Sequence, residues 1–148
     1  MGQLISSLQK AYFAGFLDGD GSIYVQIKPN TSYRYGFQIA PYIVLYQSRK
    51  GQDKFEKLCD ILDLGYLRKR NDGICEYIIG RIDEIKIFLA MIEPYVILKT
   101  EQIKLMKEIL DLKQKIKSKN DFRRLMKLVD RFREFNYSKK RKVRVITP

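Results

Sequence analysis

Two carboxylates, Asp18 and Asp20, flank Gly19 near the end of the nonapeptide Phe13-Ala14-Gly15-Phe16-Leu17-Asp18-Gly19-Asp20-Gly21, which occurs once in the chain. Small and apolar residues lead into the pair, and an apolar run follows it. At helical spacing Ala11, Gly15 and Gly19 share one stripe, over which another backbone can pass closely, while Phe13, Phe16 and Leu17 point toward a core. The helix then ends between Asp18 and Gly21. A glycine on each side of Asp20 leaves room for a ligand and frees the Gly19 carbonyl for coordination. Two plainer readings compete. A packing helix that ends in an Asp-Gly turn has the same appearance. An EF-hand is the other, and it fails: counted from Asp18, loop position 6 is Ile23 instead of Gly and position 12 is Pro29 instead of Glu, and counted from Asp20, Tyr24 falls at position 5.

Composition narrows the chemistry further. Histidine is absent, which removes the usual general base, the usual zinc ligand and every Ser-His or Cys-His scheme. Whatever chemistry exists must run on carboxylates, lysine, amides and hard metals. Cys59 and Cys75 lack a C-x-x-C spacing and read as core thiols of a reducing compartment. The chain carries 29 basic and 17 acidic residues, a net charge of +12, which favours a polyanionic partner. Ser22 to Lys50 contains no Asp or Glu while holding Lys28, Arg34, Arg49 and Lys50. Such a stretch fits a phosphate-facing surface; its competitor is a solvated basic face.

The elements that position these residues follow from periodicity. Ile23, Val25 and Ile27 alternate with Tyr24, Gln26 and Lys28, a strand broken at residues 29–32. Phe37 to Tyr46 reads as a second strand, with Pro41 implying an edge or a bulge. Phe55, Leu58, Cys59 and Leu62 have helical spacing, stopped by Gly65. A second hairpin runs from Tyr66 to Arg70 and from Ile74 to Ile79 around Asn71-Asp72-Gly73. Ile82, Ile85, Phe88, Leu89 and Ile92 mark a helix ended by Pro94. Ile103, Met106, Ile109, Leu110 and Ile116 mark another with Thr100 as its N-cap, and Leu125, Val129 and Phe132 a last one capped by Asn120. The expected class is α+β, with two hairpins able to form one sheet. Residues 1–137 read as a single domain and 138–148 as a basic tail that orders only on binding. No apolar run reaches the roughly 18 residues of a membrane span and no leader pattern opens the chain, so a soluble, intracellular protein with no membrane partner is expected.

The nonapeptide resembles the signature of the LAGLIDADG homing endonucleases, with departures at Phe13, Phe16 and Gly19. Ser22-Ile23, Gln26 to Asn30 and Ser32-Tyr33 resemble the single-motif, homodimeric branch, as do Gln47, Gly65-Tyr66, Arg68, Arg70 and Pro94 to Lys99. The resemblance implies an αββαββα fold, here with an extra C-terminal helix, whose antiparallel sheet forms a saddle over the DNA major groove. It implies that the motif helices of two subunits pack together through Ala11 and Gly15. It makes Asp20 and the Gly19 carbonyl ligands of Mg²⁺ or Mn²⁺, and Gln47 and Lys99 catalytic partners of Asp20. One departure stands out: the family's second basic active-site residue falls at Gly51, so Arg49 or Lys50 would have to substitute.

For recognition, Tyr24, Gln26, Lys28, Gln38, Arg68, Arg70 and Glu76 are candidate base readers, since Arg and Lys suit guanine, Gln adenine and Glu cytosine. Asn30, Ser32 and Tyr33, in the loop beyond the first strand, are placed for outer base pairs. Lys139 and Lys142 suit phosphate contacts without sequence content. The expected function is a homodimeric, metal-dependent endonuclease that makes a staggered double-strand break at a long pseudo-palindromic site in double-stranded DNA. Its setting would be an organelle (chloroplast or mitochondrion) or a prokaryotic cytoplasm. A non-cleaving binder on the same scaffold, an intron RNA maturase or a DNA-binding regulator, stays open as the alternative.

Overall fold

The computed structural model describes residues 4–135, and Lys139, Lys142 and the rest of the expected basic tail lie outside them. The element order is α1 (Ser7–Asp20), β1 (Gly21–Pro29), β2 (Phe37–Ser48), α2 (Gln52–Asp60), β3 (Tyr66–Lys69), β4 (Ile74–Ile79), α3 (Ile82–Ile92), α4 (Thr100–Gln114) and α5 (Lys119–Arg131). The αββαββα order is therefore present, and two helices follow it. The four strands form one sheet in the order β1-β2-β4-β3.

β2 is an interior strand, which explains why Ile39, Ala40, Pro41, Ile43, Val44 and Leu45 are buried in succession instead of alternating. Pro41 fits there because the β2–β4 ladder begins at Ile43↔Ile79, so no N–H toward β4 is needed at residue 41. β3 and β4 pair antiparallel from Tyr66↔Ile78 to Lys69↔Cys75, and Gly73 takes the left-handed conformation (φ 84°) that their turn requires.

Contacts group the described chain into two compact units. The first contains residues up to Ile23 together with Tyr42–Thr100. In it α1 packs on α3, with the rings of Phe13 and Phe88 edge to face at 6.5 Å, and Phe16 stacks on Phe55 at 5.7 Å. Phe13, Leu17, Ile43, Leu45, Ile79, Ile85 and Ile92 are fully buried around these contacts. α1 opens on a capping box that the sequence reading passed over: Ser6 accepts from the Gln9 N–H while the Gln9 amide oxygen accepts from the Ser6 N–H. It closes where a Cβ at Gly21 would stand 2.8 Å from the Leu17 Cα, a contact that only glycine avoids. Both cysteines are buried in this unit as free thiols. Burial, reinforced by Asp60 and Glu56, pushes the Cys59 thiol up to about 12, so it stays protonated and is no nucleophile.

The second unit contains Tyr24–Pro41 and the chain from Glu101 onward. Its core is Ile103, Met106, Ile109 and Leu110 of α4 with Phe122, Leu125 and Val129 of α5. The expected cap of α5 is corrected here. Ser118, not Asn120, is its N-cap, accepting from the Asp121 N–H at 3.1 Å, while Asn120 accepts from Arg123. α4 ends at Gln114, so Ile116 falls outside the helix whose stripe it extends. On β1, Val25 and Ile27 are only half-buried, and the apolar face is less enclosed than alternation implies.

Candidate active site and nucleic-acid interface

The end of α1 carries two acids with opposite surroundings. Asp18 is half-buried and accepts three backbone N–H bonds, from Ile97 at 2.8 Å, Leu98 at 3.0 Å and Lys99 at 3.1 Å. The Lys99 ammonium returns to the Asp18 carbonyl at 3.2 Å. These bonds pin the segment between α3 and α4 against the helix end. Asp18 thus takes a structural role at long range, joining residues about 80 positions apart. Asp20, two residues on, is exposed, and no hydrogen bond or ion pair engages it among the described residues. Lys99 is therefore held beside Asp18 by bonds that Asp18 accepts.

Gln47, near the end of β2, is half-buried and accepts from the Ser48 N–H at 2.8 Å. A 3₁₀ turn of Arg49, Lys50 and Gly51 follows directly. A Cβ at Gly51 would stand 3.5 Å from the Gln47 side chain, in ordinary contact, so a larger residue fits there. Arg49 and Lys50 are both exposed on this turn, whose backbone is tied down by the Arg49 N–H to Gly73 bond at 2.9 Å. Among the described residues no three His, Cys, Asp or Glu side chains come together as a metal cluster. One chain offers Asp20 and a backbone carbonyl, and a complete ligand set needs donors from elsewhere.

The expected dimer stripe is open. Ala11, Gly15 and Gly19 are exposed, and a methyl group added at either glycine would meet nothing within 4 Å. Leu8 and Tyr12 beside them are 84% and 59% exposed, a strip of apolar surface that one chain leaves uncovered.

The candidate base readers divide between the units. In the first, Arg68 stands opposite Glu76 in the β3–β4 register, and Arg70, just past β3, bonds Glu76 at 3.2 Å and also Asp72. This clamp fixes the guanidinium before any partner arrives. Asp72 was no sequence candidate; its place in an Asp-Gly turn two residues from Arg70 is the signal that could have found it. In the second unit Gln26 and Lys28 are exposed on β1, with Tyr24 and Gln38 half-buried. Asn30 accepts from both the Ser32 N–H (3.0 Å) and hydroxyl (2.6 Å), so these two first hold the loop for each other. Tyr33 is 45% exposed at the loop tip.

The profile of the LAGLIDADG endonucleases matches residues 13–110, from the first residue of the nonapeptide through Lys99 and most of α4. The DNA endonuclease I-CreI of Chlamydomonas reinhardtii is 36% identical over 132 residues, covering 88% of this chain and 80% of that protein. The DNA endonuclease I-CvuI of Chlorella vulgaris is 33% identical over 103 residues, 70% of this chain and 64% of that one. The crystal structure of I-CvuI in complex with its target, in the presence of 2 mM Ca, superposes with a TM-score of 0.85 at 29% identity over 93% of this chain and 87% of that one. With the family profile matched over residues 13–110, a relative 36% identical across most of its length and the αββαββα order in place, the chain belongs to the LAGLIDADG endonuclease family.

Proposed function

We propose that two copies of this chain act together as a site-specific homing endonuclease, hydrolysing one phosphodiester in each strand of a long pseudo-palindromic DNA target and leaving a staggered break. The observation that carries this reading is Asp20: an exposed, unengaged carboxylate at the end of a helix whose flank is bare and lined by small residues. One such acid serves one strand. Packing two α1 helices through Ala11 and Gly15 brings two of them to a common centre and covers the apolar strip.

Asp20 and the Gly19 carbonyl are hard oxygen donors of the kind Mg²⁺ and Mn²⁺ prefer, and the open space over Gly19 leaves room for phosphate and water oxygens to complete the set. Bound there, such an ion supplies charge relief at the scissile phosphate and acidifies the attacking water. The chain's own residues do the rest. Lys99, steered by Asp18, sets a positive charge beside the reacting phosphate. Gln47 directs its amide oxygen to Ser48, which leaves its amide hydrogens to orient water. Arg49 or Lys50 supplies the second cation from the turn beside Gln47. The acid-free first hairpin and the clamped Arg70 read the target, and Lys139 and Lys142 hold phosphate. Two buried free thiols accord with a reducing interior, in an organelle or a prokaryotic cytoplasm.

Glycine at position 51 favours one competing reading, a non-cleaving binder of DNA or of intron RNA, because the second cation is displaced from its usual place. Incubating the protein with a randomised duplex library and Mg²⁺, then sequencing cut ends, decides between them. Paired breaks at one near-palindromic sequence are expected; specific binding with no cut ends in Mg²⁺ or Mn²⁺ would establish the binder instead.

A further inference from the structure

Arg68 and Arg70 lie two residues apart along one strand line and so share a face, yet only one of them is held. The backbone does not distinguish them. The Arg70 N–H donates to the Ile74 carbonyl at 2.9 Å, so the β3–β4 ladder continues to that residue. The difference lies in the side chains. Arg70 donates from Nη1 to Glu76 at 3.2 Å and from Nη2 to Asp72, whereas no ion pair engages Arg68 among the described residues. Glu76 is the enclosed arm of this clamp, its side chain 13% exposed on β4, and Asp72 the outer arm, 48% exposed in the turn.

One hydrogen bond from Nη1 leaves the guanidinium free to swing about that contact. A second bond, from Nη2, fixes the plane of the group. Guanine presents O6 and N7 side by side, and only two N–H groups lying in the plane of the base meet both. Fixing the plane beforehand therefore favours guanine over bases that a swinging side chain could also reach. The outer arm has an electrostatic cost. Two carboxylates on one guanidinium leave the trio at −1, which opposes phosphate in a chain whose net charge is +12. An exposed ion pair also stabilises a fold little. Asp72 thus gives little to stability and works against affinity, which leaves discrimination as the property it serves. We propose that Asp72 is a positioning residue for base readout, holding Arg70 in one plane and so sharpening the choice of guanine at one base pair in each half-site. The inference rests on the duplex-reading role given above to this strand pair.

The test is a binding selection with full-length protein and a randomised duplex library in Ca²⁺, scored by sequencing the bound fraction. Arg70→Ala locates the base pair, as the position whose preference it removes. Asp72→Ala should lower the preference for guanine at that same position about tenfold, the scale of one bidentate contact. Affinity for the best site should hold or tighten, and the melting temperature should stay within about 4 °C of the parent. Asp72→Asn keeps a residue at home in a turn and should shift preference and affinity in the same directions, by less. A structural role would lower affinity, preference and melting temperature together, and that result in both variants overturns the proposal. A guanine preference unchanged in both overturns it as well, while the reading by Arg70 stands. If the parent shows no preference that Arg70→Ala removes, the strand pair does not read duplex and both readings fall.

Discussion

Asp18 and Asp20 are the same residue type, two positions apart on one helix end, yet one is consumed by the fold and the other is left for chemistry. The Asp18 carboxylate spends both oxygens on the Ile97, Leu98 and Lys99 amides. Asp20 has no such partner among the described residues and faces outward. A hard cation needs an acid of the second kind, because a carboxylate saturated by backbone N–H groups has few lone pairs to offer. The first kind has a different use. By fixing the backbone around Lys99, it determines where a cation will stand relative to the free acid.

The contrast can be broken by mutation. Asp20→Asn should reduce cleavage by roughly a thousandfold or more in a plasmid assay, as expected when a metal-holding carboxylate is lost. It should leave the melting temperature and specific binding in Ca²⁺ unchanged. Cutting by this variant at close to the parent rate removes Asp20 from the centre of the mechanism. Gly15→Leu should leave each chain folded, since nothing in the monomer stands over that position, but should dissociate the dimer and with it double-strand cleavage. A sedimentation coefficient that stays at the dimer value at micromolar concentration would refute the helix-pair interface.

Asp18→Ala inverts the pattern. Three amides lose a charged acceptor at a half-buried site, which should destabilise the protein by about 2 kcal/mol and lower the melting temperature by about 6 °C at fixed concentration. Cleavage should slow about tenfold, through misplacement of Lys99 at an unchanged substrate affinity. If Asp18→Ala melts normally and cuts slowly, Asp18 is a chemical acid and the division of labour argued above is wrong. A smaller effect sharpens the same site. Gly51→Arg fits beside Gln47 and should accelerate cleavage about threefold if the second cation is poorly placed on Arg49 or Lys50; no change would mean that one of them already serves.

What the sequence revealed and what it withheld divide along the same line. Short-range patterns were legible: the Asp-Gly hairpin between β3 and β4, the stripes of α2 to α5 and the exposed small-residue stripe of α1 all lie within a few residues of their own signal. The S-x-x-Q box at Ser6 and Gln9 is equally local, a capping signal complete within four residues. The Asp18 bonds were not legible in kind. Their partners lie about 80 residues away and are backbone amides, which carry no side-chain signature. The same holds for the α5 cap. Ser118 and Asn120 are both good N-caps, and only the path of the chain after α4 decides between them.

That second helix start provides the mildest test of the comparison. Asp121, like Asp18, is an acid given over to the backbone: it accepts from the Lys117 N–H at 3.0 Å and from Arg124 at 2.7 Å. The Lys117 bond first, and then the arginine, hold its carboxyl below the usual carboxylate range. A group whose folded value lies below its unfolded one contributes stability that is present at neutral pH and is lost as pH falls through that folded value. Asp121→Asn should therefore flatten the acid limb of the melting-temperature profile below about pH 4, where an unperturbed aspartate titrates, and leave cleavage at neutral pH untouched. Asp20→Asn should do the reverse at neutral pH, abolishing turnover without lowering the melting temperature. If Asp121→Asn leaves the acid limb unchanged, or slows cleavage as Asp20→Asn does, the acids of this chain do not sort into fold-bound and reaction-bound sets.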